Sequence, residues 1–469
     1  HNQPNDAAIK YILEREAVTT VNRLYSSDLL ASLWITRFFR YGEKEEYQVA
    51  IHPETGALYS MRHLLPEETA GADLDEKSAR AIAVEYLRAF AIDPDLLDLK
   101  ESSSERHPAR RDHRFVFEAR EGDSRNIDEL RYRVRIDIAG DKPANILRSL
   151  KVPEAWQRER DESTTLKTTL VGLIIALVVG IGLHGCWLLI SHIRNREMQW
   201  APLVKIAGVG IALFLLNYLN DLATFERGYD TQLTQSIFTI MQLFGAIAGG
   251  LGIGVVVVAG LALATSLYPH WPDRLRAARR VPELRDALVG VVLLLIASES
   301  WGHLRGWIDA QFITYNPSPG NALPLAPDSY LPLWGGLTAG LAMAMMVPIL
   351  AGFVLYYGRQ VLKKPRYWIL AGTAIGLITS GSSAVHLGEF YFAFVSFIAT
   401  VAFAAVGVVA FLRNNLLAYV LFGLSTSLQS VKDLAQTSVP AFHLQAIALS
   451  VLVLLVIFYL WRRAPSAGP

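Results

Sequence analysis

The chain has 469 residues, of which 52% are hydrophobic and only 19% are charged, and its mean hydropathy is +0.28. In a chain of this length these values indicate a membrane protein with a soluble part. The formal net charge is +1 and no stretch interleaves basic with aromatic residues as nucleic-acid binding requires, so we expect no nucleic acid as a partner. The single cysteine, Cys186, excludes an internal disulfide and a paired-cysteine metal site.

The composition changes near residue 165. Residues 1–165 are polar and rich in Arg, Glu and Asp, residues 166–464 are long apolar runs with short polar turns, and residues 465–469 form a short tail. Apolar runs of this kind are typical of membrane-spanning helices. The sequence therefore predicts an N-terminal soluble domain followed by a polytopic α-helical membrane domain.

The soluble domain contains the same pattern twice. A helix from Glu76 to Ala91 precedes the strands "HRFVFEAR", "LRYRVRIDI" and "NILRSLKV", and a helix near residues 7–16 precedes "SLWITRFF", "EYQVAIH" and "ALYSMRHL". Apolar and polar residues alternate along these strands, as in a half-buried antiparallel sheet. Tyr47, in the first repeat, corresponds to Tyr132 in the second. We predict an α+β domain made of two helix plus three-strand units.

These two repeats, with "VAIHPETGALYSM" in the first, resemble PepSY-like domains, which lie on the outer side of bacterial membranes. The resemblance implies an extracytoplasmic binding or inhibitory module. The histidines of this part are scattered, and we expect them to be solvated surface residues and not metal ligands: His52, His63, His107 and His113.

The apolar part contains nine candidate spans. They cover residues 168–191, 201–219, 235–266, 285–304, 333–357, 367–384, 390–411, 415–431 and 442–461. Several are short for a span, as happens when neighbouring helices shield them.

The turns between these spans alternate in charge. "HIRNREMQ", "YPHWPDRLRAARRVPELRD", "YYGRQVLKKPRY", "FLRNN" and the tail "WRR" are basic, and the positive-inside rule makes them cytoplasmic. This predicts a protein of the bacterial cytoplasmic (inner) membrane, with residues 1–165 outside and the C terminus in the cytoplasm. An exported domain needs a targeting signal, so we expect a signal or anchor helix upstream of His1.

Three segments of the final third carry a resemblance in layout. They are "PILAGFVLYYGRQVLKKPRYWIL", "SSAVHLGEFYFAF" and "VVAFLRNNLLAYVLFGLSTS". Their order is similar to that of the CPBP family, the CAAX-processing and bacteriocin-processing intramembrane proteases of glutamic type. The resemblance implies a shielded cavity in which Glu and His side chains activate a water molecule for peptide hydrolysis.

The positions at which that family has its reactive residues carry none of them here. They are Ala351 and Gly352 for the glutamate pair, Tyr356 for its arginine, Ser383 for the first histidine, and Gly423 and Ser427 for the last pair. Neutral side chains of these types cannot serve as a base or hold a metal, so the resemblance implies a protease shell without its chemistry. We expect the six positions to converge in one region closed by apolar packing, by lipid or by a partner helix.

A displaced metal site is the alternative. Glu299 and His303 are four residues apart on one helix face, and His386 and Glu389 lie in a later turn. Two imidazoles and two carboxylates could together hold zinc. We favour ordinary interfacial positions for all four, and then expect no cofactor.

Two further features remain open. "NDLATFERGYD", with Asp221, Glu226, Arg227 and Asp230, forms an outer loop that is either a solvated surface or a dock for the N-terminal domain. His184 lies in the middle of a span and is either functional or satisfied by a hydrogen bond between helices.

The sequence thus favours a non-catalytic binding, scaffold or accessory subunit of a membrane complex, whose partners are membrane lipid and other membrane proteins. The alternative is an active intramembrane protease or a metal-dependent hydrolase that uses the four displaced residues. A transporter ranks last, because charged residues at mid-membrane depth are scarce.

Overall fold

The structure, a computed structural model, describes residues 6–31, 33–162, 165–195, 200–267, 282–316, 329–413, 415–436 and 440–463. The chain divides into two compact units. The sheet unit comprises the described residues of His1–Glu162, Arg227–Ile240 and Ile313–Leu323. The helical unit comprises those of Ser163–Glu226, Met241–Phe312 and Pro324–Pro469.

The sheet unit is α+β, as predicted from the sequence. Its helices are α1 (Asp6–Leu13), α2 (Val18–Ser27), α3 (Glu76–Ala89) and α4 (Glu154–Asp161). Its strands are β1 (Trp34–Phe39), β2 (Glu46–Ile51), β3 (Leu58–Leu64), β4 (Leu97–Arg106), β5 (Arg111–Ala119), β6 (Arg131–Ala139) and β7 (Lys142–Lys151).

The seven strands form one antiparallel sheet in the order β1-β2-β3-β7-β6-β5-β4. The last strands of the two repeats meet at its centre, where Arg62 of β3 pairs with Asn145 of β7. Tyr47 lies on β2, between β1 and β3, and Tyr132 lies on β6, between β5 and β7. The two strands therefore occupy equivalent places, as the repeated sequence pattern predicts.

The repeats also differ from the prediction. Strand β4 was not expected, because its sequence "LDLKESSSER" is mostly polar and lacks the alternation that marks a half-buried strand. It lies at the edge of the sheet, where only its first residue, Leu97, is buried. The first repeat begins with two short helices, α1 and α2, instead of one.

The helices cover one face of the second repeat and form the main core. Asp75 caps α3 by accepting a hydrogen bond from the Ser78 amide at 3.0 Å, and Ala79, Ala83 and Leu87 then recur on its buried side. They pack with fully buried residues of α1, α2 and the sheet: Ile12, Leu24, Phe115, Tyr132, Val134 and Ile136. Each of these strand residues alternates with a polar neighbour on the opposite face.

Two segments from outside the N-terminal domain complete the sheet unit. The Arg37 guanidinium pairs with Glu46 and donates hydrogen bonds to the carbonyls of Arg227 at 2.8 Å and Tyr229 at 2.5 Å. We call these four residues the Arg37 clamp. Tyr229 is only 1% exposed, so the sequence "NDLATFERGYD" provides a dock for the N-terminal domain from Arg227 onward and is not simply a solvated surface.

The second such segment contacts α1. The Lys10 ammonium donates to the carbonyl of Thr314 at 2.5 Å, and the Thr314 hydroxyl donates to the carbonyl of Leu13 at 3.2 Å. Ile313 packs against the main core. Both segments thus join the sheet unit through hydrogen bonds and apolar contacts.

The helical unit is built from apolar helices. They are α5 (Thr165–Arg194), α6 (Trp200–Asn220), α7 (Leu222–Arg227), α8 (Gln235–Leu267, whose first residues belong to the sheet unit), α9 (Pro282–Gln311), α10 (Pro332–Tyr356), α11 (Pro365–Ser383), α12 (Leu387–Val406), α13 (Leu416–Leu424), α14 (Ser427–Ala435) and α15 (Pro440–Arg463). A π-helical turn follows α10 at Tyr357–Leu362 and another follows α12 at Gly407–Leu412.

Within the described ranges, six helices are long and apolar enough to cross a membrane, namely α5, α6, α8, α9, α10 and α12. The prediction of nine spans is therefore not supported. The expected span 415–431 is broken into α13 and α14, nine residues each, and nine helical residues extend only about 14 Å. In the expected span 367–384, α11 ends in the polar run "TSGSS". The expected span 442–461 lies within the 24 residues of α15.

Removing the Arg37 guanidinium should increase the mobility of the loop that contains Arg227 and Tyr229. Arg37→Ala leaves the Glu46 carboxylate, which is 5% exposed, without its partner, and breaking a buried pair costs about 3–5 kcal/mol. We expect faster amide hydrogen exchange in residues 227–234. Arg40→Ala, at a side chain that is 81% exposed, is the control, and equal exchange in both variants would contradict the clamp.

Tyr86 should make the sheet unit sensitive to alkali. Burial raises the pKa of its hydroxyl from 10.0 to about 12, and that hydroxyl has no hydrogen-bond partner among the described residues. Because the folded state keeps this proton more tightly, stability is complete below pH 10 and falls as the pH rises towards 12.

Tyr86→Phe should therefore match or exceed the wild type at pH 7 and lose less stability between pH 10 and 12 in denaturant titrations. Tyr59→Phe is the control, because the Tyr59 hydroxyl donates to the Asp28 carbonyl at 2.9 Å and its loss should cost about 1 kcal/mol at pH 7. A Tyr86→Phe variant as destabilised at pH 7 as Tyr59→Phe would contradict the interpretation.

Candidate functional site

Gly423, one of the six motif-equivalent positions, lies on α13 in direct contact with the backbone of α10. A Cβ atom at Gly423 would collide with the carbonyl of Met343 and lie 2.7 Å from the Cα of Ala344. Real Cβ atoms essentially never approach other atoms within 3.0 Å. Glycine is therefore required here, and no larger side chain fits unless a helix moves.

The same close approach continues along α14. A Cβ at Gly340 would lie 2.9 Å from the Cβ of Ser427, and one at Gly336 would lie 2.6 Å from the Cβ of Ser430. We call Gly336, Gly340, Gly423, Ser427 and Ser430 the small-residue seam. Numbers rise along α13 and α14 as they fall along α10, so the helices are antiparallel, and small residues four apart are what allows membrane helices to touch.

Ala351 and Gly352 lie farther along α10. Ala351 packs against an apolar cluster that includes Ala418 and Tyr419 of α13, and Gly352 is buried. The seam contact at Ala344 is seven residues before Ala351, about 10 Å along the helix axis. Ala351 therefore meets α13 at Ala418 and Tyr419, whereas Gly423 and Ser427 meet α10 about two or more turns before Ala351.

The two remaining positions are at helix ends. Tyr356 is the last residue of α10, with its ring edge-on to that of Tyr357 at 5.6 Å. Ser383 is the last residue of α11, and its hydroxyl donates to the carbonyl of Thr379 within the same helix at 3.3 Å. Helix α11 packs against α5 and α12.

Each of the four candidate metal ligands either has another polar partner or is exposed to solvent. Glu299 is 61% exposed and pairs with Lys432 at 3.4 Å. Glu389 is 2% exposed, and its carboxylate accepts a hydrogen bond from the Val385 amide at 2.9 Å, at the start of α12. His303 and His386 are exposed. Across the described ranges no group of three or more His, Cys, Asp or Glu side chains is placed to hold a metal ion, so the zinc alternative gains no ligand cluster.

His184 joins two helices. Its Nδ1 lies 2.6 Å from the hydroxyl of Tyr357, in the π-helical turn after α10, and its ring stacks on Trp187 at 5.7 Å. Of the two interpretations from the sequence, the hydrogen bond between helices is the one observed. Such a bond satisfies an imidazole that would be costly to leave unpaired in lipid.

Sequence reasoning missed a set of polar contacts on α6 and α10. The Thr338 hydroxyl donates to Asn217 at 2.9 Å, and Asn220 forms hydrogen bonds with both the amide and the carbonyl of Leu331. The Gln445 side chain of α15 accepts from the Leu333 amide at 2.9 Å. The signal was present in "LLNYLND", where two asparagines interrupt an apolar run. These contacts fix the start of α10.

The sheet unit contains a cleft of about 250 Å³ where β3 meets β7. Its walls include side chains on the face opposite the helices. Asp137 accepts hydrogen bonds from Arg114 at 2.8 Å and Asn145 at 2.9 Å. Arg62, in contrast, is exposed, and no ion pair or hydrogen bond of its guanidinium is found among the described residues. Among the described residues the cleft therefore offers the Arg62 cation beside the Asp137 carboxylate, which is already paired, and this suits an anionic or polar partner.

Two histidines at this cleft correct the expectation of solvated surface residues. His113 is 2% exposed and lies 2.8 Å from the Ser104 hydroxyl and 3.0 Å from the Leu74 carbonyl. His63 is 8% exposed and lies 2.8 Å from Glu45, with its ring stacked on Tyr47 at 3.9 Å. Each is buried because the fold supplies partners for its ring nitrogens, which no local sequence pattern reveals.

Comparison with protein-family models, with the curated proteins and with the solved structures gives no match to this chain. The resemblances to the CPBP proteases and to PepSY-like domains therefore depend on the residues quoted above alone.

The small-residue seam predicts that replacing glycine with alanine destabilises the protein at one position and does not destabilise it at another. Gly423→Ala forces apart two backbones in contact, and overpacking of this kind costs about 1–3 kcal/mol. Gly180→Ala on α5 meets no atom within 4 Å and should be neutral or stabilising by up to about 1 kcal/mol. Thermal unfolding of the full chain in detergent measures both, and equal effects would contradict the seam.

Proposed function

We propose that this chain is a non-catalytic, membrane-embedded binding protein, an accessory or scaffold subunit of a complex in the bacterial inner membrane. The observation that carries the proposal is the contact of Gly423 with the backbone of Met343 and Ala344. If the resemblance to the CPBP proteases holds, a reactive side chain belongs at this position. Here the space is filled by α10 itself.

The chemistry of the other equivalent positions supports the same proposal. Hydrolysis of a peptide bond needs a base or a metal that activates water, held within hydrogen-bond reach of it. Ala351 and Gly352 supply neither, and the Ser427 hydroxyl is 1% exposed and donates to the carbonyl of Leu424 at 2.8 Å. What the family layout retains is helix packing.

The binding role is assigned to the sheet unit, which we place on the outer side of the membrane. The pairs α5–α6 and α8–α9 each cross the membrane twice in this proposal. They return the chain at Arg227 and again at Ile313 to the side of the N-terminal domain, where the Arg37 clamp and Lys10 hold those segments. The basic turns between these helices support a cytoplasmic location for the other side.

The cleft between β3 and β7 is the proposed contact for the partner. No partner of the Arg62 guanidinium is found among the described residues, and Asp137 and Asn145, joined by a hydrogen bond, also line the cleft. A guanidinium at a preformed polar cleft recognises carboxylates with defined geometry. We therefore expect a partner that presents acidic groups on the outer side of the membrane.

Reconstituted protein should not cleave peptides. Proteoliposomes containing the full chain, mixed with a fluorogenic transmembrane peptide library, should release no more product than protein-free liposomes. An active intramembrane protease in parallel proves the assay. Cleavage that disappears in Glu389→Gln or Glu299→Gln would overturn the proposal in favour of a protease or metal-dependent hydrolase.

The binding role is tested separately by mild-detergent purification after cross-linking. We expect a stoichiometric membrane partner that is lost with Arg62→Glu and retained with Arg40→Glu, which changes the same charge at another exposed site. Equal retention by both variants would remove the cleft from the proposal.

A further inference from the structure

Strand β1 exposes apolar side chains on both of its faces. Phe38 is 57% exposed and Trp34 45% exposed on one face, and Ile35 is 42% exposed on the other. Tyr41 and Tyr47, beside them, are 47% and 38% exposed. We call these five residues the β1 aromatic edge. Aromatic and aliphatic side chains gathered on an edge strand usually mark a surface with a partner.

The second repeat lacks such a surface. Its strand β5, which corresponds to β1, places Phe115 and Phe117 under the helices, where they are 0% and 3% exposed. The pattern of apolar residues is thus similar in the two strands, but β5 lies under the helices, whereas the described residues cover β1 only in part, where Tyr229 contacts Phe39. Among the described residues, Trp34, Ile35 and Phe38 of β1 therefore remain exposed.

The position of β1 points to the membrane. Phe39 and Tyr41 contact the ring of Tyr229 at 5.3 and 5.1 Å, and Tyr229 contacts the ring of Phe238 at 4.9 Å. Phe238 is the fourth residue of α8, and all four rings belong to the sheet unit. A chain of ring contacts therefore links β1 to the first turn of a membrane span.

The depth of that first turn follows from the length of the span. Helix α8 (Gln235–Leu267) has 33 residues, so it is about 50 Å long, against about 30 Å for the hydrocarbon core. With the excess shared between its ends, about six residues at each end lie among the lipid headgroups. Phe238 lies at that level, and β1 is two ring contacts away from it.

We infer that the β1 aromatic edge rests on the outer headgroup layer of the bilayer, with lipid as the occupant of this surface. Aromatic side chains are enriched at this depth because their rings are apolar and their tips polar. Contact through the edge of the sheet explains why Ile35 and Phe38 are both exposed although they point in opposite directions. The unpaired backbone groups of β1 remain hydrated among headgroups, whereas in hydrocarbon they would lack hydrogen-bond partners.

Labelling the full chain tests this inference. Cys186, the single native cysteine, is first replaced by serine, and Phe38→Cys, Ile35→Cys and Leu96→Cys are each labelled with a polarity-sensitive fluorophore in lipid nanodiscs. Leu96, 52% exposed in the same unit, is the matched control. Nitroxide lipids labelled at the headgroup or deep in the acyl chain then act as quenchers.

We expect headgroup nitroxides to remove most of the fluorescence at both positions 38 and 35, deep nitroxides to remove less, and position 96 to be unaffected. Quenching at only one of the two sites, or equal quenching at position 96, would overturn the inference. It would also be overturned if the labels were shielded in detergent in proportion to protein concentration, because a second copy pairing along β1 would then be the occupant.

Discussion

The helical unit depends on the approach of two backbones, that of α10 and that of α13 with α14. Lipid tails are as apolar as leucine, so membrane helices associate through close van der Waals contact and a few hydrogen bonds. Gly340 and Gly423 give that contact, and Asn217 with Thr338 adds a polar link on another side of α10. The same contact that stabilises the bundle leaves no room at Gly423 for a larger side chain.

In the sheet unit the corresponding constraint is a buried charge. Arg37 is 14% exposed and Glu46 5% exposed, and an isolated charge at such a position would be expensive. Because the guanidinium has five donors in one plane, it can hold Glu46 and still reach the carbonyls of Arg227 and Tyr229. Because the buried Arg37 guanidinium needs hydrogen-bond acceptors, it holds the loop before α8 against β1.

The local alternation of apolar and polar residues predicts a strand where one face of that strand is buried and the other is exposed to solvent. Tyr132, Val134 and Ile136 alternate with polar residues, and their strand was found from the sequence with its neighbours β5 and β7. Strand β4 was not predicted because an edge strand needs no apolar face. The break between α13 and α14 was not predicted because "YVLFGLSTSLQS" has the pattern of one continuous apolar helix. Hydropathy measures apolar length and does not register that, at this break, the Ser425, Thr426 and Ser427 hydroxyls each donate to the carbonyl three residues earlier.

The residue types of the candidate site could be predicted from the sequence, but the contacts between those residues could not. The sequence identified Gly423 and Ser427 as residues without reactive groups, but their contacts at Ala344 and Gly340 depend on the antiparallel register of α10 with α13 and α14, which no local spacing determines. The sequence repeat likewise does not reveal which of the two units the helices cover. Two repeats with the same strand order place Phe117 under helices and leave Phe38 exposed, because α1, α2 and α3 pack mainly on the second repeat. Because both helices of the first repeat pack in that core, β1 keeps exposed apolar side chains, and these are the surface that we infer to rest on the bilayer.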